Sequence, residues 1–475
     1  MLQSSKYCRG RRLHFLLMTS AKRSKSKPSN SQPRIALALA GGGRLAAAQH
    51  ADTAKMTKRA ATGPRIALAL AGGGPLGAIY EIGALCALDE SLQGISFTEL
   101  HHYVGVSAGG FIAAGLANGM TPRELCAAFI ENDDKASEVF DPAWLMVPAY
   151  GELLRRGITL PGLAASAAWR ATFGRKSFVH ALEALGPALP TGIFANDEVD
   201  TQLEKLFSKP GRTNDFRELR TRLTLVATNL DSGDAAPFGR PGWDHVPISR
   251  AVQASSALPG LFPPVEIDNH YYVDGALKKT MHAGVAMDEG VDLMFCLNPL
   301  VPFNSTRAPQ LAMDQRVMRR GLPPEKQAIP RIVSGGLPAV MSQTFRSMIH
   351  SRLELGMKHY EHAYPDTDIV LLEPDHRDAE MFLANTFSYR QRRELAEHAY
   401  QKTRQMLRSR KTTLSAKLAR HGVSLKLDVL EDPKRHLVAP RPAATRVGRA
   451  IASLEEVMED LSHALQSPSR RALAA

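Results

Sequence analysis

Cysteine is scarce: four residues in 475, Cys8, Cys86, Cys126 and Cys296. No two have the spacing of a metal site or a redox pair, which removes zinc-ribbon and disulfide-scaffold readings. Three of them lie inside apolar segments and read as small buried hydrophobes, a usage that suits a reducing compartment. Long apolar runs are also missing. None approaches the roughly 18 residues of a membrane span. The stretch Leu13 to Met18, after Arg9, Arg11 and Arg12, is short, carries His14 and lacks a nearby small-residue cleavage site. No secretion signal is therefore expected, and the expected location is cytoplasmic, with peripheral membrane contact.

Negative charge is nearly absent from one part of the chain. Residues 1–60 hold 13 of the 59 Lys and Arg but only one of the 47 acids, Asp52. The remaining body is then neutral, with 46 charges of each sign. The net +12 belongs to a leader, so a nucleic-acid-binding body is not expected. A basic leader could still rest on anionic lipid.

What is present starts with an apolar run, Arg65 to Ala71, that reads as a buried strand. Gly72-Gly73-Gly74 ends it, and a helix over Leu76 to Glu90 follows. His102 to Val106 is a second strand, running into Ser107, and Ala108 to Asn118 a helix of small residues closed by Gly119. Further strands are expected at Arg222 to Ala227, Tyr271 to Val273, Leu293 to Leu297 and Asp368 to Leu372. Alternating strands and helices imply a parallel sheet between helical layers. Residues 301–345, rich in Pro and Gly, read as a mobile loop, and Ser388 to Arg410 as a charged helix. Ile451, Leu454, Met458, Leu461 and Leu465 make one apolar stripe at helical spacing.

Pro33 to Gly43 repeats Pro64 to Gly74 residue for residue, 31 positions earlier. The first copy lacks the glycine that matches Gly77 and has no serine elbow. One fold needs one such strand, and the second copy leads into the serine. The expected division is a basic, disordered leader over 1–63, a catalytic domain over 64–410 with a helical insertion at about 140–215, and a peripheral helical extension over 411–475.

Three features carry chemistry. In Gly105-Val106-Ser107-Ala108-Gly109 the serine stands between two glycines, the pattern of a nucleophile elbow. The helix after it favours developing negative charge at its start. Gly72, Gly73 and Gly74 form a nest of backbone amides. A phosphate-binding loop would need a lysine, and Gly77-Ala78-Ile79 has none. Gly72, Gly74 and Gly77 fit GxGxxG loosely, but a dinucleotide site leaves Ser107 and Asp274 unused. Acyl transfer uses all three features, the amides holding an oxyanion. Asp274 ends a short strand and precedes Gly275; alone it is an ordinary turn pair.

The chain resembles the patatin-like phospholipases. The resemblance rests on Gly72 to Gly77, Gly105 to Gly110, Ala254-Ser255-Ser256-Ala257-Leu258-Pro259 and Asp274-Gly275-Ala276, with echoes at Gly192 to Phe194 and Thr228 to Gly233. It spans about residues 64–400. It implies a three-layer α/β/α domain with a mostly parallel sheet. It implies a Ser107–Asp274 dyad, an oxyanion hole from Gly72, Gly73 and Gly74, and support from Gly77, Gly105, Gly109 and Gly275. It implies hydrolysis of fatty-acyl esters in lipids at a membrane or micelle surface, with no cofactor and no metal. Leu76 departs from the Arg or Lys of many members, which puts headgroup contact in question. Three other readings stay open. One is a triad with a histidine after Asp274, from His282, His350, His359, His362 or His376. Another is acyl transfer or thioester cleavage with the same dyad. The third is an inactive binding module.

Overall fold

The computed structural model describes residues 63–131, 147–151, scattered positions from 154 to 162, 189–304, 332–383, 389–438 and Met458. Within them the strands are β1 (Ile66–Leu70), β2 (Leu92–Gln93), β3 (His102–Gly105), β4 (Arg222–Asn229), β5 (Ala235–Phe238), β6 (Val265–Ile267), β7 (His270–Asp274), β8 (Leu293–Leu297), β9 (Asp368–Leu372) and β10 (Ser424–Leu425). The helices are α1 (Gly74–Ser91), α2 (Ala108–Ala117), α3 (Pro122–Cys126), α4 (Asp197–Phe207), α5 (Ile248–Ser255), α6 (Gly284–Met287), α7 (Gly336–Ala363), α8 (Ala379–Leu383), α9 (Tyr389–Ser409), α10 (Lys411–Ala419) and α11 (Leu427–Glu431).

The main sheet runs β6-β7-β4-β3-β1-β8-β9, with β5 also paired to β4. The pairs β4/β3, β3/β1, β1/β8 and β8/β9 are parallel. The strands β5, β6 and β7 pair antiparallel. The side-chain period of two divides β1 between two cores. Ile66, Leu68 and Leu70 face α1, α2 and α5, while Ala67, Ala69 and Ala71 face the layer of α6 and α7. Helices on both faces of a mostly parallel sheet make the three-layer α/β/α architecture. Asp268 and Asn269, both at positive φ, close the two-residue hairpin between β6 and β7, a turn these residue types tolerate.

β4 fixes the geometry of the centre. Arg222 to Leu225 pair with β3, and Ala227 to Asn229 pair with β7. Leu225 and Ala227 also each pair with β5. A strand has two edges, so β3 and β7 share the edge opposite β5. They run in opposite senses and their carboxyl ends meet at Val226.

Several expectations change. The helix α7 begins at Gly336, inside the stretch read as a mobile loop. Residues 411–438 are part of the main core: Leu414, Leu418, Val423, Leu430, Leu437 and Val438 are all buried in it, and β10 pairs with β2. Arg404 on α9, itself buried, donates to the carbonyls of Val429, Asp432 and Arg435 at 2.7, 2.7 and 3.1 Å. A guanidinium thus satisfies carbonyls at the end of α11, where the helix has none of its own donors left. The first copy of the repeat, the leader, most of the insertion and all of the apolar stripe except Met458 lie outside the described residues. Met458 is helical and exposed. Cys86, Cys126 and Cys296 are free and buried.

Glu81 on α1 is fully buried, and its carboxyl lies beside the Ala71 amide. That amide donates to Leu297 O at 3.1 Å instead, and neither Glu81 oxygen has a hydrogen-bond partner among the described residues. Burial holds its carboxyl well above the ordinary carboxylate range. A buried acid of this kind favours folding only while protonated, so its cost sets in as pH rises past the unfolded value of about 4.5. Glu81→Gln is therefore expected to raise Tm at pH 8 and to leave it unchanged near pH 4, measured by calorimetry at both values.

Candidate active site

Ser107 leaves β3 after Val106 and starts α2. Its backbone is at φ 54°, ψ −125°, a region costly for any residue with a side chain. Three contacts hold it there. Val106 N donates to Leu70 O at 3.1 Å, Gly109 N to Ala71 O at 3.2 Å and Gly110 N to Ser107 O at 2.9 Å. The flanking glycines are needed for close approach. A Cβ on Gly105 would lie 2.5 Å from the Gly110 Cα, and one on Gly109 would lie 2.5 Å from the Ala71 carbonyl oxygen.

Asp274 is the last residue of β7, and Ser107 follows the end of β3, so the meeting of those strands at Val226 brings the two side chains together. The Ser107 side chain stands close enough to the Asp274 carboxyl to lower its pKa. Both residues are buried, with 7% and 3% of their surface exposed. Asp274 Oδ1 also accepts from Ala276 N at 2.8 Å, and Asp274 N donates to Ala257 O at 3.0 Å. Gly275 passes over β4 so closely that a Cβ would lie 2.1 Å from Val226 O. Burial pushes the Asp274 carboxyl up to about 6, against the lowering effect of its hydrogen bond to Ala276 and of the Ser107 side chain.

The glycine loop crosses in front of the serine. A Cβ on Gly72 would lie 3.0 Å from Ser107 Cβ and 3.6 Å from its Oγ. Gly74 has φ 60°, a conformation that requires glycine, and Gly77 N donates to Gly73 O at 3.0 Å as α1 begins. The amides of Gly72, Gly73 and Gly74 make no backbone hydrogen bond to a described residue. All nine residues singled out in the sequence thus gather at one place, where β1, β3 and β7 end.

The histidines that follow Asp274 are engaged elsewhere. His282 Nε2–H donates to the Gly275 carbonyl at 3.3 Å, and burial lowers its pKa to about 4, keeping the ring neutral. His376 faces Pro302 O at 3.1 Å and His362 faces Lys358 O at 2.7 Å. His350 lies between Glu373 and Glu354, and His359 against Tyr360. Asp378, Glu380 and His398 form a group of metal-ligand type. Each ring nitrogen of His398 already faces a carboxylate, Nε2 to Asp378 at 2.6 Å and Nδ1 to Glu380. Burial alone would lower the His398 pKa, but these two partners raise it to about 9, which favours an ion-paired imidazolium. No described helix is long and apolar enough to cross a membrane.

Ser255 is a site residue that the sequence marked only as part of a motif. Its hydroxyl donates to Val226 O at 2.6 Å and accepts from Ser107 N at 2.9 Å. The Val226 carbonyl lies on the edge of β4 that faces β3 and β7, where Gly275 passes beside it. One buried hydroxyl therefore satisfies two backbone groups at the point where β3 and β7 meet. Ser255→Ala leaves both unpaired. The expected result is a loss of about 1–3 kcal/mol of stability by chemical denaturation, with no loss from Ser256→Ala, whose side chain is less buried.

Residues 68–287 match the family model described as patatin-like phospholipase. The chain is also similar to the crystal structure of VipD from Legionella pneumophila, at 17% identity over 72% of this chain and 68% of that one, with a TM-score of 0.28. Every residue of the serine elbow, the glycine loop and the aspartate turn falls inside the family match, and the domain they build is a patatin-like phospholipase domain over residues 68–287.

Proposed function

We propose that this protein is a serine lipid acyl hydrolase, of phospholipase A or lysophospholipase type, working through a Ser107–Asp274 dyad. The family supports a lipid acyl hydrolase in general. The observation that supports the dyad is that Ser107 and a buried Asp274 come together at the ends of β3 and β7, with glycine amides that make no backbone hydrogen bond beside the same hydroxyl.

In this reading Asp274 takes the proton of Ser107 as the oxygen attacks the ester carbonyl carbon. The carbonyl oxygen becomes an oxyanion, held by the amides of Gly72, Gly73 and Gly74. As the tetrahedral intermediate collapses, the bond to the leaving alcohol breaks and Asp274 returns the proton to it. An acyl-serine remains. A water molecule then gives its proton to Asp274 and attacks the acyl carbon. Ser107 leaves, recovers the proton, and the fatty acid is released. A carboxylate is a weak base, and burial strengthens it by opposing its charge. The substrate is an acyl ester presented at a membrane or micelle surface, with peripheral contact and no cofactor.

The test is turnover of a short-chain p-nitrophenyl ester and of phospholipid vesicles with chelator present. Ser107→Ala and Asp274→Asn are each expected to lower kcat by about 10³-fold or more while remaining folded. The carboxylate must be ionised to act as base. With its pKa at about 6, kcat/KM is expected to be level at alkaline pH and to fall tenfold per pH unit below about 6. A folded wild type that cleaves neither substrate would sink the proposal. So would a full-activity Asp274→Asn, or a profile with no acid limb.

The same burial bears on stability. The fold disfavours the Asp274 charge by about 3 kcal/mol, from an ordinary value of 3.8 to about 6. A raised acid costs stability as pH rises through that interval, so the inactive Asp274→Asn is expected to match or exceed the wild-type Tm at pH 7.

A further inference from the structure

We propose that Asn298 and Glu373 form a clamp that seats Pro299 against the glycine loop, and that they are positioning residues for the oxyanion site. The two stand one residue beyond the carboxyl ends of β8 and β9, which are neighbours in parallel register, Leu297 opposite Leu372. Asn298 is fully buried, and its backbone N–H and both ends of its side-chain amide are engaged. Its backbone N–H donates to Leu372 O at 2.9 Å, its Oδ1 accepts from Leu300 N at 3.1 Å, and its Nδ2 donates to Glu373 Oε1 at 2.7 Å. A donor to a carboxylate is among the stronger hydrogen bonds available to an amide. His350 Nδ1 is 3.6 Å from the same Glu373 oxygen, beyond hydrogen-bond reach.

The residue trapped inside this arrangement is Pro299. A Cβ on Gly73 would lie 2.8 Å from Pro299 Cγ, and one on Gly77 would lie 3.0 Å from it. The proline ring therefore occupies the space that two glycines of the loop leave open. On its other side the loop meets Ser107 through Gly72. The loop is held between the nucleophile and a wedge, and the Asn298–Glu373 bond fixes the wedge. Donors that stabilise an oxyanion must be set before charge develops, and a displacement of about 1 Å can cost about 100-fold in rate. The rate effect rests on the acyl-hydrolase reading; the ordering of the loop does not.

The closing experiment uses the full chain and two readouts. Asn298→Asp keeps the size of the side chain and an acceptor for Leu300 N, but sets a carboxylate against Glu373. Amide hydrogen exchange in a peptide covering residues 70–79 is expected to speed up about tenfold or more. The kcat for the short-chain ester is expected to fall about tenfold or more, with KM changed less than about twofold. The double variant Asn298→Asp with Glu373→Gln restores the bond with donor and acceptor exchanged, and both readouts are expected to return toward wild type. Should Asn298→Asp fail to fold, Glu373→Ala removes only the partner and is expected to speed exchange in the same peptide. Unchanged exchange in a folded single variant, or no recovery in the double variant, overturns the clamp. If the wild type shows no turnover, the hydrolase reading fails, and exchange still decides the clamp.

Discussion

β3 and β7 meet end to end along one edge of β4, and the rest of the site follows from that junction. A parallel strand and an antiparallel strand arrive from opposite directions and stop at Val226. Each delivers one side chain, Ser107 just past the end of β3 and Asp274 at the end of β7. A gap in pairing would leave Val226 with an unsatisfied carbonyl. That carbonyl faces the break between β3 and β7, and the Ser255 hydroxyl donates to it. The hydroxyl that repairs the sheet also holds the N–H of Ser107. Pairing, repair and placement of Ser107 are one arrangement.

The second constraint is how near one backbone can come to another. Gly105, Gly109 and Gly275 each pass a neighbouring backbone at a distance that leaves no room for a methyl group. These contacts draw the ends of β1, β3 and β7 together. The burial that comes with this crowding makes Asp274 a stronger base than an exposed aspartate. Closeness of backbone and basicity of the carboxylate therefore have the same origin. The ionised form is disfavoured in the fold, and that loss of stability is the counterpart of the raised proton affinity.

The sequence carried the central sheet clearly, for a physical reason. β1 and β8 are buried throughout and β9 is partly buried; all three are mostly apolar and bounded by glycine, proline or charge, and β8 and β9 end where the apolar runs end. The site residues were legible because each motif strand is followed by the turn that its glycines require. Short antiparallel strands such as β5 and β6 were not, since three or four residues carry too little pattern to stand out from loop. Ser255 was visible as part of a motif but not as a repair to the sheet, because that role depends on Val226 and Ser107, which are distant in the chain. Asn298 and Pro299 were opaque for the same reason: their partners, Glu373 and Gly73, are distant in sequence. The segment from Gly336 looked like loop because Gly335, Gly336 and Pro338 crowd its start, yet a proline in the first turn of a helix is compatible with it. The segment after 410 looked peripheral because it is charged. Its apolar residues are nevertheless buried, and the buried Arg404 ties its end to α9.

Cys296 lies in β8, between β1 and β9, with its thiol fully buried and its pKa pushed up to about 12 by desolvation and, to a lesser degree, by the charge of Glu373. The thiolate is the reactive form, so this sulfur is inert toward alkylating reagents while the strands stay paired. It becomes reactive when β8 parts from its neighbours. The centre of the sheet thus contains its own chemical clock for opening, independent of any substrate. The slow labelling of one natural residue reports how often the middle of the fold comes apart.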